Sequence, residues 1–333
     1  MKTEALAVRY HEVGKPGDVL KLETLPVAAP AAGEALVALR RAVIHPSDMG
    51  MIGGTYGRLR ELPAVAGREG VGEVVTVGEG VTEVAVGDQV RMPDEPGAWV
   101  QAVMTPAADL VKIPAAVPLD MAAQAFVNPT TAVRLLKDFA DLQPGDWVIQ
   151  NAATSAVGTS VIQYAKHLGL RTLNVVRDMA REPFLKEVGA DVVVAEDSGY
   201  EKQIKEFTGG AKPKLALNSI GGDSVIRLIR AVADGGYVVT FGGMVGDKVR
   251  FPTRNLIFND VRLVGFWMDR WLRVKTASEI QAMLDEVYDL LAKGIISIPV
   301  DATYPFEQAL EAVAQANTGG CNGKVLIAGD WQP

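Results

Sequence analysis

From about residue 120 onward, short apolar runs alternate with amphipathic helices, and nothing else in the chain limits its fold as tightly. "DWVIQNA" (146–152) reads as a buried strand, and "VGTSVIQYAKHLG" (157–169) follows with apolar residues at helical spacing. "RTLNVVRD" (171–178) is a second strand and "REPFLKEVGA" (181–190) its helix. "DVVVAED", "KLALNSI", "GGYVVTFGG" and "RLVGFW" continue the series to residue 267. Six such strands joined through helices predict a doubly wound parallel sheet covered on both faces. The text before residue 120 differs: "EALVALRRAVI", "GVGEVVTVGEGV", "GDQVRMP" and "AWVQAVMTPAADLVKIP" are β-rich runs cut by Gly, Pro and Asp turns. After the sheet come a helix (277–294, ended by Gly294), another (306–316) and a final strand, "GKVLIAG", that can return to the first domain. With 333 residues the chain is long enough for two domains. The expected boundaries are 1–120 with 295–333 for the β-rich domain and 121–294 for the dinucleotide domain.

A formal charge of -7 and a pI of about 5.2 argue against a general nucleic-acid binder, which needs a basic face. No uncharged apolar stretch is long enough to span a membrane. The opening "MKTEALAVRYHEVGK" alternates like a strand and lacks the apolar run of a signal peptide. One cysteine, Cys321, fits a reducing compartment, and the expectation is a cytoplasmic protein, although a mature organellar protein with its presequence removed would read the same way. His11, His45 and His167 lie far apart and Cys321 is isolated, so no metal site is expected. Cys321 itself, in "TGGCNGK", reads as a loop residue.

The first strand-to-helix turn reads Asn151-Ala152-Ala153-Thr154-Ser155-Ala156-Val157-Gly158. A pyrophosphate loop needs small residues and helix N-terminal donors, which Thr154, Ser155, Gly158 and the alanines supply loosely. Only the last glycine of G-x-G-x-x-G survives, and an ordinary tight turn reads the same way locally. The complete βα series favours the cofactor reading. The second strand ends in Arg177-Asp178, where an arginine suits the 2′-phosphate of NADPH and an acid the 2′-hydroxyl of NAD. NADPH is favoured. Gly221-Gly222 and Gly242-Gly243 also stand at strand ends, where backbone can approach a ligand.

Taken together, "HPSDMGMIGGTYG" (45–57), "ELPAVAGREGVGEVV" (61–75), "NPTTAVRLL" (128–136), "VIQNAATSAVG" (148–158), "LNVVRD" (173–178), "LALNSIGG" (215–222), "FGGM" (241–244) and "LIFNDVRLVGFW" (256–267) resemble the medium-chain dehydrogenase/reductase superfamily. Within it the chain is most similar to the mitochondrial-type trans-2-enoyl-thioester reductases. The resemblance implies an α/β protein with a GroES-like β-rich barrel domain and a Rossmann domain. It implies NADPH-dependent, zinc-independent reduction of the C=C bond of an enoyl-CoA or enoyl-acyl carrier protein, with hydride to C3 and a proton to C2. Tyr56 matches the catalytic tyrosine and Asn128 the nicotinamide-side asparagine. Ser155, Ala156, Val157 and Gly158 match the phosphate loop, and Arg177 and Asp178 the adenosine-phosphate contact. Phe241, Gly242, Gly243 and Met244, with Phe266, Trp267 and Met268, match segments lining the cofactor; Lys324 resembles a C-terminal cofactor lysine. Met179 departs from the second arginine common after Arg-Asp, and His45 from the asparagine common before Pro-Ser-Asp. Arg68 stands where zinc-dependent relatives carry a ligand histidine, which agrees with a metal-free site.

Tyr56 has no histidine or cysteine beside it in sequence, but enoyl reduction does not require one. A phenol with an ordinary pKa of about 10 is protonated at neutral pH and can donate to C2 or polarise the thioester oxygen, directly or through water. Trp267 would shape the acyl pocket, and His45 has the best functional claim among the histidines. A quinone or small-enone oxidoreductase on the same scaffold is the alternative activity, and a non-catalytic nucleotide-binding protein is a third reading. The apolar "RLVGF" (262–266), as the last strand of the sheet, predicts a homodimer that covers its edge.

Overall fold

The computed structural model describes residues 3–245, 248–318 and 322–333, so Cys321 lies outside the described residues. The chain forms two compact units, one of Met1–Phe126 with Ile298–Pro333 and one of Val127–Ser297. Strands β1 (Glu4–Tyr10), β2 (Lys21–Pro26), β3 (Glu34–Val43), β4 (Ala64–Val65), β5 (Gly70–Val77), β6 (Gln89–Arg91) and β7 (Ala102–Pro106) open the first unit. The second unit holds β8 (Trp147–Gln150), β9 (Arg171–Val176), β10 (Val192–Ala195), β11 (Leu215–Asn218), β12 (Tyr237–Thr240) and β13 (Arg262–Gly265). Strands β14 (Val300–Pro305) and β15 (Lys324–Ala328) complete the first unit.

In the first unit β2-β1-β4 form a small sheet and β14-β15-β3-β5-β6 a larger one, with β7 also paired to β3. Strand β3 is the spine, because its alanine, valine and leucine positions are almost all buried and pair on both sides. Its end, Arg41–Val43, runs antiparallel to Ala328–Leu326, and Ile44 N donates to Val325 O at 3.2 Å. That register brings Lys324 beside His45. The core gathers Val37, Leu39, Val74, Val90, Met92, Trp99 and Phe306. Directly after β3, Pro46 starts a helix (Pro46–Ile52), a position that needs no backbone donor. Asp48 caps it by accepting from His45 N at 2.7 Å.

The second unit carries one parallel six-stranded sheet in the order β10-β9-β8-β11-β12-β13. This is the doubly wound order, with the switch between β8 and β11, where ligands bind at the carboxyl ends of strands. Ile149, Leu173, Val175, Ala216 and Val238 fill its core, which is why these strands read as continuous apolar runs. All six strands expected from the sequence form.

Candidate active site

The first unit holds a compact polar cluster. The helix Pro46–Ile52 ends at Gly53, and the chain folds back so that Thr55 N and Tyr56 N both donate to Gly50 O, at 2.8 and 3.1 Å. Tyr56 is thereby tied to the helix end. The turn before β5 sets its neighbour. Gly67 has φ +84°, and a Cβ there would lie 2.1 Å from Trp99 Cδ1, so no other residue fits. Arg68 follows, buried, and its Nη1 donates to Tyr56 Oη at 2.7 Å. Its guanidinium carbon is 4.9 Å from the Tyr56 ring centroid, a cation–π contact as well as a hydrogen bond.

Glu69 is 1% exposed and accepts from Phe126 N at 2.5 Å through Oε1. Its Oε2 lies 2.7 Å from His45 Nε2, and His45 Nδ1 lies 3.1 Å from Lys324 Nζ. An ammonium only donates, so Nδ1 accepts and Nε2–H donates to the carboxylate. These contacts tie the His45 ring to both Glu69 and Lys324. Lys324 Nζ also donates to Ile44 O at 3.0 Å. Lys324 thus belongs to the first unit, whereas the other cofactor residues expected from sequence belong to the second. Asp48 is fully enclosed, and burial raises its pKa against the pull of His45, Arg68 and Arg60.

In the second unit Ser155 caps the helix Ala156–His167, its Oγ accepting from Gly158 N at 3.1 Å. A Cβ on Gly158 would lie 2.6 Å from Ala153 O, so the last glycine of the loop is required by packing. Ala152 takes the left-handed conformation, φ 49°, at the turn out of β8. The loop rests on buried amides that the sequence reading missed. Asn151 Nδ2 donates to Asn218 Oδ1 (2.8 Å) and Ser224 Oγ (3.1 Å), while Ser219 N donates to Asn151 Oδ1 (2.8 Å). Gln150 Nε2 donates to Gly158 O (2.9 Å) and Asn174 Oδ1 (2.8 Å). Amide side chains recurring at the ends or middles of apolar strands, in "VIQNA", "TLNVV" and "LALNS", were the available signal.

Arg177 directly follows β9, exposed, with no ion pair among the described residues. Asp178 caps the short turn Met179–Arg181 through Ala180 N, 2.9 Å. Phe241, Gly242, Gly243 and Met244 follow β12, with Phe241 N donating to Asn218 O and Met244 N to Ser219 O. Phe266, Trp267 and Met268 follow β13. Asn128, buried at the start of the helix Asn128–Lys137, has an Nδ2 with no hydrogen-bond partner among the described residues. A buried donor left open in this way fits an amide or carbonyl ligand. The free cation at the end of β9 fits a phosphate. These residues fit a nicotinamide dinucleotide with a 2′-phosphate.

This chemistry agrees with the relatives. Residues 31–115 match the family described as "Alcohol dehydrogenase GroES-like domain" and residues 156–288 that described as "Zinc-binding dehydrogenase". Enoyl-(acyl-carrier-protein) reductase, mitochondrial, from Xenopus tropicalis is 39% identical over 329 residues, 96% of this chain and 93% of that protein. The Homo sapiens protein of the same name is 41% identical over 321 residues, 93% of this chain and 85% of that protein. The solved complex of Etr1p with NADP and crotonyl-CoA superposes with a TM-score of 0.90 at 30% identity, over 98% of this chain and all (100%) of that one. A GroES-like unit with a Rossmann unit defines the class, a two-domain oxidoreductase. The chain belongs to the medium-chain dehydrogenase/reductase superfamily, in its enoyl-thioester reductase branch. The residues present do not fit zinc: among the described residues no group of three or more His, Cys, Asp and Glu side chains is placed to hold a metal ion.

One expectation is overturned. The chain was expected to be cytoplasmic, but the relatives are named mitochondrial. A single cysteine excludes an internal disulfide framework and fits a reducing compartment, but it does not separate one reducing compartment from another.

Proposed function

We propose that this protein reduces trans-2-enoyl thioesters to saturated acyl thioesters with NADPH. The observation that carries the reading is Tyr56, a phenol on a fixed loop whose oxygen accepts from Arg68 at 2.7 Å. When bound, NADPH supplies the hydride that reaches C3. Negative charge then gathers on the thioester oxygen and C2, and a positioned donor is what the reaction needs from the chain. Tyr56 is that donor. The second unit is the nucleotide side: Arg177 takes the 2′-phosphate, and the loop Ser155, Ala156, Val157 and Gly158 takes the pyrophosphate at a helix N-terminus. Asn128 orients the nicotinamide amide through its open Nδ2, and Phe241 to Met244 and Phe266 to Met268 flank the cofactor. Trp267 shapes the acyl pocket. Lys324, held by Ile44 O and His45 Nδ1, supplies a cation from the first unit. The acyl carrier is coenzyme A or acyl carrier protein, and the protein works as a homodimer.

The deciding assay follows NADPH oxidation with crotonyl-CoA, with a crotonyl-acyl carrier protein and with a quinone. The expected result is turnover of a thioester and far slower turnover of the quinone. A protein that ignores both thioesters and reduces the quinone is an NADPH:quinone oxidoreductase instead.

A further inference from the structure

The close approach of Trp99 to Gly67 forces the turn that delivers Arg68 inward, where it is 7% exposed. A guanidinium has five donors and no acceptor. The 2.7 Å contact with Tyr56 therefore has one polarity: the phenol oxygen accepts, and the phenol hydrogen must point elsewhere. We propose that Arg68 is a positioning residue for the reaction, which directs the Tyr56 proton and holds the charge left on the phenol oxygen when that proton departs. This rests on the Tyr56 reading above and adds what makes this phenol an effective donor. In the step, the Tyr56 O–H bond breaks and its electron pair stays on oxygen as phenolate. The electron pair of the substrate enolate forms the new C2–H bond. Arg68 keeps all its protons, and water reprotonates the phenolate.

The charges around the pair are mixed. Arg68 Nε is 3.9 Å from Asp94 Oδ1, and Asp94 is also bound by Arg58 and, at 3.2 Å, by Arg60. Glu95 lies 3.7 Å from Arg58 and 3.5 Å from Arg60. Asp48 faces Arg68 from the helix Pro46–Ile52, with burial raising its pKa. The guanidinium of Arg68 touches the phenol oxygen directly, at 2.7 Å, and so places positive charge against it.

The test compares Arg68→Met, Arg68→Lys, Tyr56→Phe and the double variant Tyr56→Phe/Arg68→Met. Crotonyl-CoA kinetics are read across pH, together with tyrosinate absorbance of the free protein, wild type minus Tyr56→Phe. Tyr56 should ionise below the ordinary phenol value of about 10 in the wild type, and higher in Arg68→Met. Arg68→Met should lower kcat roughly ten- to a hundredfold, the range for losing a charge-assisted hydrogen bond, while the KM for NADPH holds. Arg68→Lys, which keeps the charge without the fork, should fall between. In the Tyr56→Phe background the Arg68→Met change should add little. Equal losses from Arg68→Met with Tyr or Phe at position 56 would mean that Arg68 only packs the loop. If Arg68→Met does not fold, the wild-type titration decides: a phenol ionising at or above about 10 overturns the proposal. Full turnover by Tyr56→Phe overturns the Tyr56 reading itself, a distinct result.

Discussion

Tyr56 and Arg177 carry the two sharpest expectations for single residues. Tyr56→Phe keeps the ring and its packing but removes the donor, and a positioned general acid contributes about 10²–10⁴-fold. Turnover of a 2-enoyl-CoA should fall by about that range, roughly 3–5 kcal/mol of barrier, with NADPH affinity nearly unchanged. Steady-state kinetics with crotonyl-CoA and NADPH-binding fluorescence measure both. Retained turnover would move the donor role elsewhere in the cluster of the first unit. Arg177 is exposed with no competing ion pair among the described residues, so its charge is available to a 2′-phosphate. Arg177→Ala should weaken NADPH binding about ten- to a hundredfold and leave NADH binding alone. Equal weakening for both cofactors would sink this assignment. Asp178, by contrast, is already engaged as a turn cap, so the proposed cofactor discrimination is tested first at Arg177. Tyr56 could be read in the sequence only through the family resemblance, since a loop tyrosine by itself reads as a packed aromatic, whereas Arg177 and the loop glycine could be read from their places at strand and helix ends. Arg68 next to Tyr56 could not, because twelve positions of sequence separate them and only the Gly67 turn brings them together.

Among the elements, the parallel strands were the most legible, since burial on both faces writes itself as a continuous apolar run. The amide belt under the phosphate loop was not. Asn174 lies in β9, Gln150 and Asn151 at the end of β8 and just past it, and Asn218 in β11, and only the strand order β9-β8-β11 makes them neighbours. The same limit hid the lock among three helices of the second unit. Glu286, on the helix Ala277–Ala292, accepts from Lys137 Nζ and Tyr164 Oη, both at 2.6 Å. Burial would raise the Glu286 carboxyl, but hydrogen bonds from Lys137 and Tyr164 outweigh it and hold the pKa below the usual value. Burial and the same carboxylate push the Tyr164 phenol well above its ordinary range. A carboxyl depressed in the folded state stabilises fully above its unfolded pKa of about 4.5, and that contribution is lost as pH falls through the folded value. Glu286→Gln should therefore cost about 1–2 kcal/mol near neutral pH, a figure discounted for the partly exposed Lys137. The difference from wild type should shrink in acid, below about pH 4. Denaturant unfolding of both proteins at two pH values checks it, and a difference that persists unchanged into acid would rule the carboxylate out as its source.

At the scale of the whole molecule, the unsolved surface lies along β13. Among the described residues this strand pairs only with β12, so its other side offers backbone donors and acceptors with no strand partner there. Exposed sheet edges are templates for pairing, and proteins cover them. Here charge does little of that work: Arg262 is exposed at the start of the strand, but Leu263 and Val264 are half-buried apolar residues. The helix Thr253–Asn259 just before it has no buried residue, and its Ile257 and Phe258 are 67% and 69% exposed. Two large apolar side chains on a short helix beside an open edge are poorly placed for water. A two-fold copy meeting edge to edge would continue the sheet and bury the same patch on both chains, a closed arrangement that leaves no further edge at this end. Sedimentation equilibrium at micromolar concentration should give twice the chain mass. Ile257→Asp with Phe258→Asp should weaken the dimer at least tenfold, because burying two carboxylates without partners costs more than the apolar contact gains. The substitutions fall outside the core, so the folded monomer should persist, with unchanged circular dichroism. A wild-type monomer would instead leave the β13 edge to be covered by another protein.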